Sequence, residues 1–134
     1  MLTIRASAKP SPIHGIGLFA DEKIKKGAII WRYDGRFDIT FDPDEVALMT
    51  EIEKDLITRY AYFSKRMHVY VLSLDSSRFI NHSKNNNMDD IAIPGEAETC
   101  DVANRDIEIG EELTSNYREI DAIDEISDAK YLDE

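Results

Sequence analysis

The chain has one cysteine, Cys100, so it can build neither an internal disulfide nor a cysteine-based zinc centre, and packing alone has to hold the fold. Three histidines, His14, His68 and His82, stand at no metal-ligand spacing, and no metal is expected. Basic charge is scarce: 16 Lys and Arg face 27 Asp and Glu, a net of −11. This balance argues against direct nucleic-acid binding through phosphates and favours a basic partner; residues 1–36 carry seven bases against three acids, so phosphate binding by that part is weakened by the overall charge but not excluded. No apolar run approaches the roughly 20 residues that span a bilayer. Residues 1–10 also lack the apolar core of a signal peptide. A protein of the cytoplasm or another intracellular compartment, away from membranes, is the expectation.

What is present suffices for one core. With 134 residues, 43% of them hydrophobic, a single compact domain is expected. Leu2-Thr3-Ile4-Arg5-Ala6, Gly17-Leu18-Phe19-Ala20 and Ala28-Ile29-Ile30-Trp31-Arg32-Tyr33 read as strands between Gly and Pro turns, so the first 36 residues look like a small meander. Asp42 is a good N-cap, with Pro43 at the first helical position and Glu45 closing a capping box. Val46, Met49, Ile52 and Leu56 then recur at helical steps to about residue 59; Thr50 and Glu53 offer a second cap and a break there. Beyond Tyr60 the pattern is β again: His68-Val69-Tyr70-Val71-Leu72, Ile91-Ala92-Ile93, Thr99-Cys100-Asp101-Val102-Ala103 and Leu113-Thr114-Ser115. Residues 81–90, rich in Asn, Ser and Asp, are expected to be irregular. The last 17 residues, 118–134, hold seven acids and two bases.

Three constellations could carry chemistry. In Gly15-Ile16-Gly17 two glycines let a backbone approach a ligand, or simply supply a hairpin with positive φ angles. Arg78-Phe79-Ile80-Asn81-His82-Ser83 ends in three polar residues, where Asn81 could cap a turn and His82 be a satisfied half-buried histidine. A Ser-His-Asp hydrolase built on Ser83 and His82 has no nucleophile elbow to support it. Glu111-Glu112-Leu113-Thr114-Ser115-Asn116-Tyr117 reads equally as a strand with Tyr117 in the core.

In this order, with Tyr33-Asp34-Gly35, Arg105-Asp106-Ile107 and Gly110-Glu111-Glu112-Leu113-Thr114, the chain resembles the SET domain family of protein lysine methyltransferases over residues 9–118. The resemblance implies a mainly β fold with short helices, an α+β arrangement of small curled sheets of the β-clip type. In it the Asn81-His82 segment and the C-terminal motif make a knot-like crossing. It implies a domain over residues 1–118 and an acidic tail over 119–134. The implied cofactor is S-adenosylmethionine, held by His14, Gly15, Ile16 and Gly17, by the Asn81 side chain at its ammonium end, by the His82 backbone at its adenine, and by Tyr62. Tyr117 is the implied catalytic residue, and Tyr60, Phe63 and Ser115 the implied walls of a lysine channel.

Such a site suits the chemistry. A lysine with pKa near 10.4 is about 99.9% protonated at pH 7, so an apolar aromatic channel favours the neutral, reactive amine. The partner implied is a basic protein or peptide, a histone-like protein being one candidate; a non-catalytic module that binds basic peptides is the alternative. Three departures from the family pattern stand out, the first being Ser115, where an aromatic often stands two positions before the terminal tyrosine. Asn85-Asn86-Asn87 replaces Asn-Pro-Asn, which exchanges a rigid turn for a flexible one. A cysteine-rich segment after the last motif is absent, and Ile120, Ile123, Ile126 and Tyr131 of the tail offer contacts that could replace that lid as a short helix.

Overall fold

The computed structural model describes residues 1–116, so Tyr117 and the 119–134 tail lie outside the described residues. In chain order the strands are β1 (Ala6–Pro10), β2 (Ile16–Ala20), β3 (Ile29–Trp31), β4 (Asp38–Phe41), β5 (Tyr62–Ser64), β6 (Val69–Ser73), β7 (Asn81–His82), β8 (Met88–Ile91), β9 (Cys100–Ala103) and β10 (Glu112–Ser115). Helices α1 (Pro43–Ala47) and α2 (Glu51–Tyr60) separate β4 from β5, and a 3₁₀ turn covers Ser76–Phe79. Apolar runs this short, bounded by turns, make small sheets: β1-β2-β10-β7, β3-β9-β8 and β4-β6-β5. The mainly β reading with short helices therefore holds.

Strand partners depart from the expected meander. β1 and β2 form the hairpin, with Ala6 opposite Ala20 and Pro10 opposite Ile16, but β3 leaves to pair with β9. Leu2 makes one isolated bridge to Trp31 instead of starting a ladder. Leu2 and Ile4 pack against the main core, so their alternation reports burial rather than strand pairing. That core is built on Leu18, Ile30, Ile107 and Leu113, all fully buried, each contributing roughly 1.5–3 kcal/mol by leaving water.

The helical segment is split, as the Thr50 cap allows. Glu45 Oε1 accepts from the Asp42 backbone N–H at 3.2 Å, and Thr50 and Glu53 close a second box at 3.2 and 3.0 Å. A new start gives α2 its own phase: Ile57 is buried in a second core with Ala61 and Leu72, whereas Ile52 and Leu56, expected on the inner face, are 83% and 47% exposed. Among the described residues no helix is long and apolar enough to cross a membrane.

Residues 81–90 are ordered by their partner instead of their own propensity. β7 runs parallel to β10, with Thr114 opposite Asn81 and Ser115 opposite His82. The chain then turns back, and the Asn87 side chain stands in for a strand: Nδ2 donates to the Glu112 carbonyl and Oδ1 accepts from the Thr114 N–H, both at 2.9 Å. Asn86 Nδ2 donates to the Met88 carbonyl at 2.6 Å, while Asn104 Nδ2 donates to the Asn86 carbonyl at 3.0 Å. The triple-Asn loop is thus pinned by its own amides, not loosened by the missing proline. It wraps β10 against the Asn81-His82 segment, which is the expected crossing.

Candidate active site

The first half of the site is an open cleft between the β1–β2 turn and β7, lined by His14, Gly15, Ile16, Asn81, His82 and Tyr60 among others. The turn is held from inside. Ser11 Oγ donates to the Glu112 carboxylate, at 2.7 Å to Oε1, and accepts from the Ile13 N–H at 3.0 Å; the Ser11 N–H donates to the Gly15 carbonyl at 2.8 Å. Gly15 has φ +45°, which favours glycine, while a Cβ on Gly17 would stand 2.4 Å from Glu112 Oε2. The two glycines therefore do different work: one bends the chain, and the other leaves room for a carboxylate.

Asn81 is buried, and its Nδ2 faces three oxygens: the His14 carbonyl at 3.0 Å, the Ile16 carbonyl at 3.3 Å and Glu112 Oε2 at 3.0 Å. Three acceptors on one side fix the amide orientation, because the flipped form would set oxygen against oxygen. Oδ1 remains as the acceptor of that side chain.

The second half is a cavity of ≈ 210 Å³ that shares Thr58, Arg59, Tyr60, Arg78 and Ile80 with the cleft and is walled by Trp31, Tyr62 and Ser115 among others. Trp31 and Tyr62 meet edge to face at 6.2 Å. Arg78 lies 5.1 Å from the Tyr60 ring centroid, stacked over the shared wall. Carboxylates enter from β8, β9 and the segment before β9: Asp90, Asp101 and Glu98. Buried Glu98 accepts from the Tyr62 hydroxyl at 3.1 Å and from the Thr99 N–H at 2.8 Å. Burial, and then the negative charge of Glu98, push the Tyr62 hydroxyl above its ordinary range. Burial first, then Asp90 and Glu98, push Asp101 up to about 7. Arg59, Lys65 and Arg66 also line this cavity, so its wall carries both signs of charge.

The structure brings together His14, Gly15, Ile16, Asn81 and His82 on the cleft, with Gly17 directly behind it. Tyr60 borders both spaces, and Ser115 lines the cavity. Two residues sit elsewhere than expected. Tyr62 lines the inner cavity instead of the cleft, because its hydroxyl is drawn to Glu98. Phe63, its neighbour on β5, points to the other face of the sheet and packs edge-on to Tyr70 at 5.2 Å, so it walls neither space. Tyr117 lies outside the described residues. Sequence reasoning missed Ser11, Glu98, Asp101 and the role of Glu112; charge alone hid the acids among 27 carboxylates, and only Glu112, inside a motif already singled out, carried a signal.

Fold and site define a mainly β protein with two adjoining pockets beside a crossed pair of segments. The SET domain model matches residues 15–118, and the chain belongs to the SET domain family, whose members are in general methyltransferases. Among solved structures it is similar to a candidate histone methyltransferase of Plasmodium falciparum, at 20% identity and a TM-score of 0.57, covering 84% of this chain and 92% of that one.

Proposed function

We propose that this chain is a protein lysine N-methyltransferase that takes S-adenosylmethionine in the cleft and a lysine side chain of a basic protein or peptide in the cavity. The observation that carries the reading is the shared wall: Tyr60, Arg78 and Ile80 border both spaces, which suits transfer of a small group from one ligand to another without either leaving its seat. The cleft fits the cofactor, since Asn81 presents a fixed amide oxygen to an ammonium while His14, Gly15 and Ile16 offer backbone groups and His82 an adenine contact. When bound, S-adenosylmethionine supplies a methyl group already activated by its sulfonium.

The chain's own residues align and desolvate the acceptor. Trp31, Tyr60 and Tyr62 form an aromatic wall that favours the neutral amine, while Asp90 and Glu98 attract the cationic side chain towards it. Ser115, buried on the same cavity, leaves space beside the amine. Tyr117, two residues beyond Ser115, is assigned to orient the reacting amine through its hydroxyl.

Incubation of the purified protein with methyl-labelled S-adenosylmethionine and a panel of basic proteins tests this. Label on lysine, lost in the Asn81→Ala variant, is the expected result. Binding of cofactor or of a basic protein without transfer would leave the binding-module reading, and absence of cofactor binding by the folded chain would overturn the methyltransferase reading.

A further inference from the structure

We infer that Glu112 is a positioning residue for the cofactor, one that orients Asn81 and the β1–β2 turn together and is the reason Gly17 has to be glycine; the inference rests on the cofactor reading of the cleft. One carboxylate joins both sides of the cleft. Its Oε2 accepts from Asn81 Nδ2 at 3.0 Å, and its two oxygens accept from Ser11 Oγ at 2.7 and 2.9 Å. Ser11 in turn accepts from the backbone of Ile13, inside the turn that lines the cleft.

The arrangement has a direction. Asn81 carries two amide hydrogens, and carbonyl oxygens of His14 and Ile16 are two of the acceptors they meet. Glu112 adds a charge-assisted acceptor on the same side, which strengthens the hold on the amide nitrogen and commits Oδ1 to an incoming donor. An ammonium is such a donor. The negative charge of Glu112 behind Asn81 then favours a cationic ligand group over a neutral one. The carboxylate itself reaches this place only because Gly17 has no side chain: a Cβ there would lie 2.4 Å from Oε2, 2.9 Å from Cδ and 3.0 Å from Ser11 Cβ.

Two ligands and three variants separate this role from plain structural support. S-adenosylhomocysteine carries the ammonium, whereas 5′-methylthioadenosine has the same adenosine without the amino-acid end. Calorimetry on Glu112→Ala should show S-adenosylhomocysteine affinity reduced roughly 10- to 100-fold, the range of a lost hydrogen bond to a charged group, with 5′-methylthioadenosine changed less than about 3-fold. Glu112→Gln, which keeps an acceptor for Asn81 and a donor for Ser11, should fall between wild type and Glu112→Ala. Gly17→Ala should reproduce the selective loss, since it displaces the carboxylate. Without any ligand, hydrogen exchange of the Asn81 side-chain amide, followed by NMR, should speed up in Glu112→Ala.

A parallel loss of both ligands, or unchanged S-adenosylhomocysteine affinity in Glu112→Ala, would overturn the assignment while leaving the cofactor reading intact. Wild-type protein that binds neither ligand would instead overturn the cofactor reading, and the assignment with it.

Discussion

Replacing Asn87 tests whether a single side chain closes the crossing. It is 2% exposed, and its amide bonds both the Glu112 carbonyl and the N–H of Thr114, itself 5% exposed. Asn87→Ala leaves one buried donor and one buried acceptor unpaired. At about 1–3 kcal/mol each, the loss is about 2–6 kcal/mol, a large share of the roughly 5–15 kcal/mol that holds a small domain. Asn87→Asp is more informative. It keeps the acceptor for Thr114 but turns a carboxylate oxygen towards the Glu112 carbonyl, so at neutral pH it should cost at least as much as alanine. Protonated, the same group can donate to that carbonyl. Its folded pKa should therefore rise above the unfolded value of about 3.9, and the bond's contribution is present below that value and lost as pH rises through the folded one. Urea unfolding of wild type and both variants, followed by circular dichroism between pH 3.5 and 7.5, reads the differences directly. An alanine variant within about 0.5 kcal/mol of wild type, or an aspartate deficit that is flat with pH, would refute the view that Asn87 acts as a surrogate strand.

Further outcomes follow from the cavity and the helices. Asp101, held near 7 by burial and by Asp90 and Glu98, keeps its proton in the folded state after the unfolded chain has released it, so stability should fall as pH rises from about 4 through about 7. Asp101→Asn should flatten that slope and raise the urea midpoint at pH 8. Ser115→Tyr adds a ring to a cavity of ≈ 210 Å³ and should shift the methylated products towards monomethyl-lysine in mass spectra while sparing the first transfer. Thr50→Ala removes the cap that restarts α2 and should cost about 1 kcal/mol in the same urea assay.

Local signals are legible in the sequence, and strand pairings are not. The Asp42 and Thr50 caps, the Gly15 turn and the order of the motifs are written in neighbouring residues, so the split helix and the family resemblance could be read directly. The partner of β3 could not, because Ile29, Ile30 and Trp31 look alike whether they pair with β2 or with β9, some seventy residues on. Ile52 and Leu56 keep a helical spacing, yet where that face points depends on the break that precedes it. Tyr62 and Phe63 illustrate the same limit within the site: adjacent aromatics on a strand face opposite ways, and only the position of Glu98 decides which one meets the cavity. The Asn81 amide belongs to this group as well, since its acceptors His14, Ile16 and Glu112 lie 67, 65 and 31 residues away.

Those separations have a kinetic consequence. β10 holds Leu113 of the core, the acceptor for Asn81 and the carboxylate for Ser11, which is 101 residues away. A chain folded only through its first nine strands would own a turn, an aromatic wall and a partial core, but Asn81 would lack one of its three acceptors and the crossing would be open. Docking β10 closes the longest hydrogen-bonded loop among the described residues and should be late and slow, in the manner of folds dominated by non-local contacts. Affinity for the ammonium end of a ligand would then emerge in that same step, and a ligand of this kind would stabilise only molecules that have completed it. In a refolding experiment the recovery of binding would report the arrival of β10, not the collapse of the core.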